Sequence, residues 1–177
     1  MTRTFADPAH KKLGLEGLKT LKEVLDNENI PYWVDYGTLL GCIREQDLIS
    51  IDWDIDIGVY YEDWKGSTVK ALKNANFKIT CIHTCSSFIA KKYLRPEEAG
   101  SHSMCCMTYK GLIVDIGIYH ECQGAYEGHI THTVKNRLFR PPKAYILPTI
   151  EKEIQGIKVP VPENYDKYLT FLSIHKI

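Results

Sequence analysis

The sequence has no excess charge of either sign: 22 Lys and Arg balance 22 Asp and Glu across 177 residues. A dedicated nucleic-acid binder normally carries a basic surplus for its phosphate contacts, so that class is set aside. A local pocket for one small phosphorylated ligand is still compatible with neutrality. No apolar run approaches the roughly 18 residues that a membrane-spanning helix needs. Residues 1–8 contain no apolar signal core. The expectation is a soluble protein without a membrane span, cytoplasmic by default. The lumen of the secretory pathway would apply if an anchor had been removed from a longer parent.

Repeated Cys-x-x-Cys pairs are missing as well. The six cysteines are Cys42, Cys81, Cys85, Cys105, Cys106 and Cys122. Their tight spacings are Cys81-x-x-x-Cys85 and the adjacent Cys105-Cys106, and neighbours on a strand face opposite ways. His120-Glu121-Cys122 adds a ligand type but no second pair. Zinc and disulfide frameworks are therefore poorly served, and reduced thiols at small core or surface positions are expected. Internal repeats, low-complexity tracts and linkers are also absent. The chain reads as a single domain, residues 1–177, long enough to bury one core.

What is present is a regular alternation of helix and strand signals. Asp7-Pro8 reads as a cap and first helical residue, and Leu15, Leu18, Leu21 and Leu25 recur at helical spacing to about residue 27. A short strand at 32–35 follows. Thr38 is then expected to cap a helix over 39–45. Residues 54–60 alternate as a strand, a helix is expected from 62–64 to about 76, and 77–82 alternates again. Strands are expected at 87–94, 103–109 and 112–119, the last two joined by a tight turn at Lys110-Gly111. Proline punctuates extended pieces at 144–147 and 157–161, and a closing helix runs from 165 to about 172. This order predicts an α+β (α/β mixed sheet) domain, with helices packed on a mixed β-sheet.

The chemistry concentrates in Asp52-Trp53-Asp54-Ile55-Asp56. On a strand Asp54 and Asp56 share one face while Ile55 and Ile57 bury the other. Two carboxylates side by side resist ionisation unless a cation lies between them. A divalent metal with oxygen ligands answers that need, Mg²⁺ especially and Mn²⁺ also. Asp115 repeats the pattern, projecting opposite the apolar face of Leu112, Val114, Ile116 and Ile118. If its strand lies beside the first, Asp115 completes a three-carboxylate platform for displacement at phosphorus. Gly37-Thr38 supplies a close-approach glycine and a helix N-terminus suited to phosphate, although Thr38 serves equally as a plain cap. Asp52 reads as a flanking residue.

Other readings were open at several positions. Counted from Asp52, a calcium loop would place Ile57 where glycine is required. Lys91, with Lys92 and Arg95, is a candidate to reach substrate phosphates; the alternative is a solvent-facing strand end. Asp35 either orients a nucleotide or forms a turn. His129 and His132 read as surface or core histidines, and Tyr32, Trp33 and Trp53 as packing residues.

Gly37-Thr38-Leu39-Leu40-Gly41-Cys42-Ile43-Arg44, Ile49 and Asp52-Trp53-Asp54-Ile55-Asp56-Ile57-Gly58 together resemble the signature of the LicD/fukutin family. Val114-Asp115-Ile116 resembles its third acidic motif, and Gly156-Ile157-Lys158-Val159-Pro160-Val161-Pro162 its C-terminal segment. The resemblance implies a nucleotidyltransferase-like fold akin to the DNA polymerase beta superfamily. It implies transfer of phosphocholine or ribitol phosphate from a CDP-activated donor to a glycan or similar hydroxyl acceptor. Carried over, Asp54, Asp56 and Asp115 are metal ligands and catalytic acids, Gly37 and Thr38 part of the phosphate cradle, and Arg44 a structural or phosphate-facing cation. Two alternatives stand beside it: a nucleotidyltransferase using an NTP, or a nucleotide-binding domain without activity.

Overall fold

A computed structural model describes residues 3–134 and 137–174. Helix α1 (Pro8–Asn27) starts where expected, because the Asp7 carboxylate accepts the backbone N–H of Ala9 at 2.8 Å. Strand β1 (Tyr32–Val34) leads into α2 (Tyr36–Glu45), and β2 (Asp54–Tyr60) into α3 (Gly66–Asn74). Then come β3 (Phe77–Thr84), α4 (Ser87–Tyr93), β4 (His102–Tyr109) and β5 (Leu112–Glu121). The chain closes through β6 (Ile130–Val134), β7 (Arg137–Phe139), α5 (Lys143–Ile146), the β8 (Thr149–Ile154) and β9 (Ile157–Pro162) hairpin, and α6 (Tyr165–Ile174). No helix among the described residues is long and apolar enough to cross a membrane.

The main sheet runs β1-β2-β5-β4-β3, with β6 on β5 and β7 on β6. Among the described residues only β2 and β5 pair in parallel; the other pairs are antiparallel, giving the mixed α+β sheet that the element order predicts. Ile55, Ile57, Val114, Ile116 and Ile118 are buried on the face that α1 covers, with α3 packed beside α1 over β3. Each such aliphatic side chain contributes about 1.5–3 kcal/mol on removal from water. On the opposite face β2 and β5 carry acids that line a cavity beside α2.

Four local expectations are corrected. Helix α2 starts three residues earlier than expected, because the Asp35 carboxylate, not Thr38, accepts the Tyr36 N–H at 2.9 Å. Helix α3 begins at Gly66, after a turn at Tyr60–Trp64. Residues 87–94 form no strand: Ser86 caps a helix by accepting the Ile89 N–H, and Ala90, Tyr93 and Leu94 bury its inner side at helical spacing. Residues 143–146 make one helical turn, and 149–154 is a strand that hydropathy alone did not reveal.

Candidate active site

The acids meet because β2 and β5 lie side by side in matched register. Asp56 pairs with Asp115, and Ile55 with Val114 behind them. Alternation therefore delivers Asp54, Asp56 and Asp115 to one cavity of about 470 Å³. Asp52, read from sequence as a flanking residue, turns inward with them. One oxygen from each of Asp52, Asp54 and Asp56 lies within 4.8 Å of the other two. Asp115 stands next to Asp56 outside that tight group, beside the Cys106 thiol.

Gly37 explains why Asp52 can join. A methyl group built on Gly37 would sit 1.8 Å from Asp52 Oδ2, so only glycine leaves room for that carboxylate. Thr38 is buried, and its hydroxyl accepts the Asp56 N–H at 2.9 Å. It thus docks α2 onto the acidic strand, and the capping role expected of it falls to Asp35. Tyr36 holds a positive φ of 40°, a costly conformation for a residue with a side chain. It is clamped at both ends: its N–H on Asp35, its hydroxyl 2.6 Å from His132 Nε2.

Burial and mutual repulsion shape the charges. Desolvation first, then the Asp52 carboxylate, pushes Asp54 up to about 7. Asp56 is driven well above the usual carboxylate range by desolvation and by Asp54 and Asp115. Among the described residues lining the cavity there is no Lys or Arg; its other titratable side chains include His83, Cys106 and His132. A clustered, oxygen-only donor set with no protein cation to balance it fits a hard divalent ion.

The expected cations lie elsewhere. Arg44 is exposed in a neighbouring groove of about 580 Å³ between α2 and α6, which meets the acidic cavity at Tyr36 and Gly37. Lys91 is exposed on α4 and does not line the acidic cavity, because the segment coils as a helix instead of running as a strand into the sheet. Arg95 is engaged with Glu98 and Glu62. His132, read as core or surface, is buried at the cavity's inner end, where desolvation pushes its pKa down to about 3. Nothing in its local sequence signals that position, since β6 reaches the cavity only through its pairing with the end of β5.

The profile of the LicD/FKTN/FKRP nucleotidyltransferase domain matches residues 29–164. An uncharacterized Rickettsia prowazekii protein is 41% identical over 69 residues, 34% of this chain and 26% of that protein. Human ribitol-5-phosphate transferase FKTN is 28% identical over 71 residues, 40% of this chain and 15% of that protein. Human ribitol 5-phosphate transferase FKRP is 45% identical over 40 residues, 23% of this chain and 8% of that protein. The aligned part thus spans about a quarter or less of these relatives' lengths. A nucleotidyltransferase-like protein from Thermotoga maritima superposes with a TM-score of 0.54 at 16% identity, covering 92% of this chain and 86% of the other. That likeness shows a shared nucleotidyltransferase-like fold.

Proposed function

The chain belongs to the LicD/FKTN/FKRP nucleotidyltransferase-domain family, and from that premise we propose that it transfers a phospho-alcohol from a CDP-activated donor to a glycan or similar hydroxyl. The observation that carries the reading is the register of β2 and β5, which sets Asp56 beside Asp115 in the cavity that also holds Asp52 and Asp54. The names of the FKTN and FKRP relatives supply the ribitol-phosphate class.

Asp52, Asp54 and Asp56 are the residues that would hold Mg²⁺ or Mn²⁺, with Asp115 alongside. When bound, such an ion supplies Lewis-acid polarisation of phosphoryl oxygens and offsets their charge. Gly37 keeps the α2 side of the cavity low enough for Asp52 to enter. Arg44 offers a cation to the part of the donor that extends into the adjoining groove, and Lys91 stays at the surface as a contact for a longer acceptor. Asp115 receives the acceptor hydroxyl's proton. The freed oxygen forms a bond to the β-phosphorus as the bond from that phosphorus to the bridging oxygen breaks, and CMP leaves with that oxygen.

The test is CMP release from CDP-ribitol and CDP-choline, with and without glycan acceptors, in Mg²⁺ or in EDTA. Metal-dependent release that falls at least a hundredfold in Asp56→Asn is expected. Pyrophosphate release from CTP with no CMP from either CDP-alcohol would instead make the protein a nucleotidyltransferase. Binding without turnover would make it a nucleotide-binding domain.

A further inference from the structure

The inner end of the acidic cavity is closed by a histidine. On the acid-bearing face of β5, Asp115 and Gly117 follow each other two residues apart, about 6.6 Å at the rise of a parallel strand. Gly117 has no side chain, and His132 of β6 occupies the space beside it: a methyl group there would meet Nδ1 and Cε1 at 3.3 Å. His132 is 1% exposed and lines the same cavity as Asp54, Asp56 and Asp115.

The two ring nitrogens have different circumstances. Nε2 lies 2.6 Å from the Tyr36 hydroxyl. Nδ1 is buried and has no hydrogen-bond partner among the described residues. A buried nitrogen left in that state carries a desolvation cost that a hydrogen-bonding ligand would offset. A phenol is a better donor than acceptor, and an imidazole nitrogen lone pair is a good acceptor. Tyr36 O–H therefore donates to Nε2, and the ring proton resides on Nδ1. Burial keeps the ring neutral. Nδ1 and Cε1 lie nearest to Gly117, and both residues line the cavity.

We propose that His132 is a ligand-reading residue whose Nδ1–H donates a hydrogen bond to a phosphate oxygen of the molecule bound in the acidic cavity. The inference rests on the reading above only in taking that molecule to be phosphorylated. A neutral donor suits a cavity whose described lining offers no Lys or Arg. As a neutral donor it adds direction without charge. Tyr36 fixes the tautomer, and packing against Tyr119 and Phe139 fixes the ring's position.

Asn and Gln separate the two nitrogens, since an Asn amide imitates Nδ1 and a Gln amide imitates Nε2. Binding of Mg²⁺ with inorganic pyrophosphate, and of Mg²⁺ with CDP-ribitol, is measured calorimetrically for the full chain and for His132→Asn and His132→Gln. His132→Gln is expected to weaken both ligands roughly tenfold to a hundredfold, the scale of a hydrogen bond to a charged group, while His132→Asn stays within about threefold. Nitrogen-15 NMR of the wild-type histidines, which needs no variant to fold, should show a neutral Nδ1–H tautomer whose Nδ1 signal moves on adding Mg²⁺ and pyrophosphate. An Nε2–H tautomer, an unmoved Nδ1 signal, or loss in His132→Asn with retention in His132→Gln would overturn the assignment. So would a wild-type protein that binds neither ligand. Pyrophosphate binding in the expected order without turnover of any CDP-alcohol would sink the transferase reading and leave the role of His132 standing.

Discussion

Asp54 ionises in the company of Asp52, Asp56 and Asp115, and its pKa of about 7 makes the metal-free protein sensitive to pH in a defined direction. The folded state holds a proton that the unfolded chain releases near pH 4. Stability from this group is therefore complete below about pH 4 and is lost as pH rises through about 7. Thermal melts in EDTA are expected to show a falling melting temperature across that window. Mg²⁺ should raise the melting temperature more at pH 7.5 than at pH 5, and an equal rise at both would contradict the clustered-carboxylate picture. At this scale the strand acids were legible, because alternation alone puts Asp54 and Asp56 on one face and isolates Asp115 on an apolar strand. Asp52 was not legible: it precedes the strand, and its inward turn depends on the absent side chain of Gly37. His132 was hidden for a related reason, since a histidine on a short strand looks the same at a surface, in a core or against a ligand.

Helix α2 and strand β2 are joined by one side-chain bond, from the Asp56 N–H to the Thr38 hydroxyl. Thr38→Val keeps the shape and removes the acceptor. The stranded N–H is expected to cost about 1–2 kcal/mol in urea denaturation and to lower Mg²⁺ affinity, whereas Thr38→Ser should retain both. Unchanged stability in the valine variant would mean that water or a shifted backbone takes over the bond. Most elements were visible as periodicity, and the errors have local causes. Asp35 and Thr38 are both good caps, and only the burial of Thr38 against β2 decides between them. Residues 87–94 read as a strand candidate, but the Ser86 cap and the packing of Cys85, Tyr93 and Leu94 into a small satellite cluster favour a helix. That change of element leaves Lys91 outside the lining of the acidic cavity.

Across the whole molecule, one buried carboxylate gathers parts distant in sequence. Asp35 accepts hydrogen bonds from Tyr119 of β5 and Tyr168 of α6, both at 2.7 Å, besides the N–H that starts α2. Burial pushes its pKa up against the pull of those donors. Asp35→Ala would remove the acceptor of two buried hydroxyls, which keep only their mutual bond, and of an N–H, and a loss of about 3–5 kcal/mol in denaturation is expected. Asp35→Asn keeps an acceptor oxygen and should lose less; equal losses would show that the charge matters more than the bonds. Sequence by itself determined the fold class, the acidic strand, the third acid and the family signature, because hydrophobic periodicity and alternation are local properties written into consecutive residues. Tertiary structure alone decided that Asp56 faces Asp115, that Asp52 enters the cluster, that Arg44 and Lys91 stand apart from it, and that His132 closes its inner end. Those outcomes depend on strand register, on a missing methyl group at Gly37 and on the pairing of β6 with the end of β5, which are relations between segments that no single segment encodes.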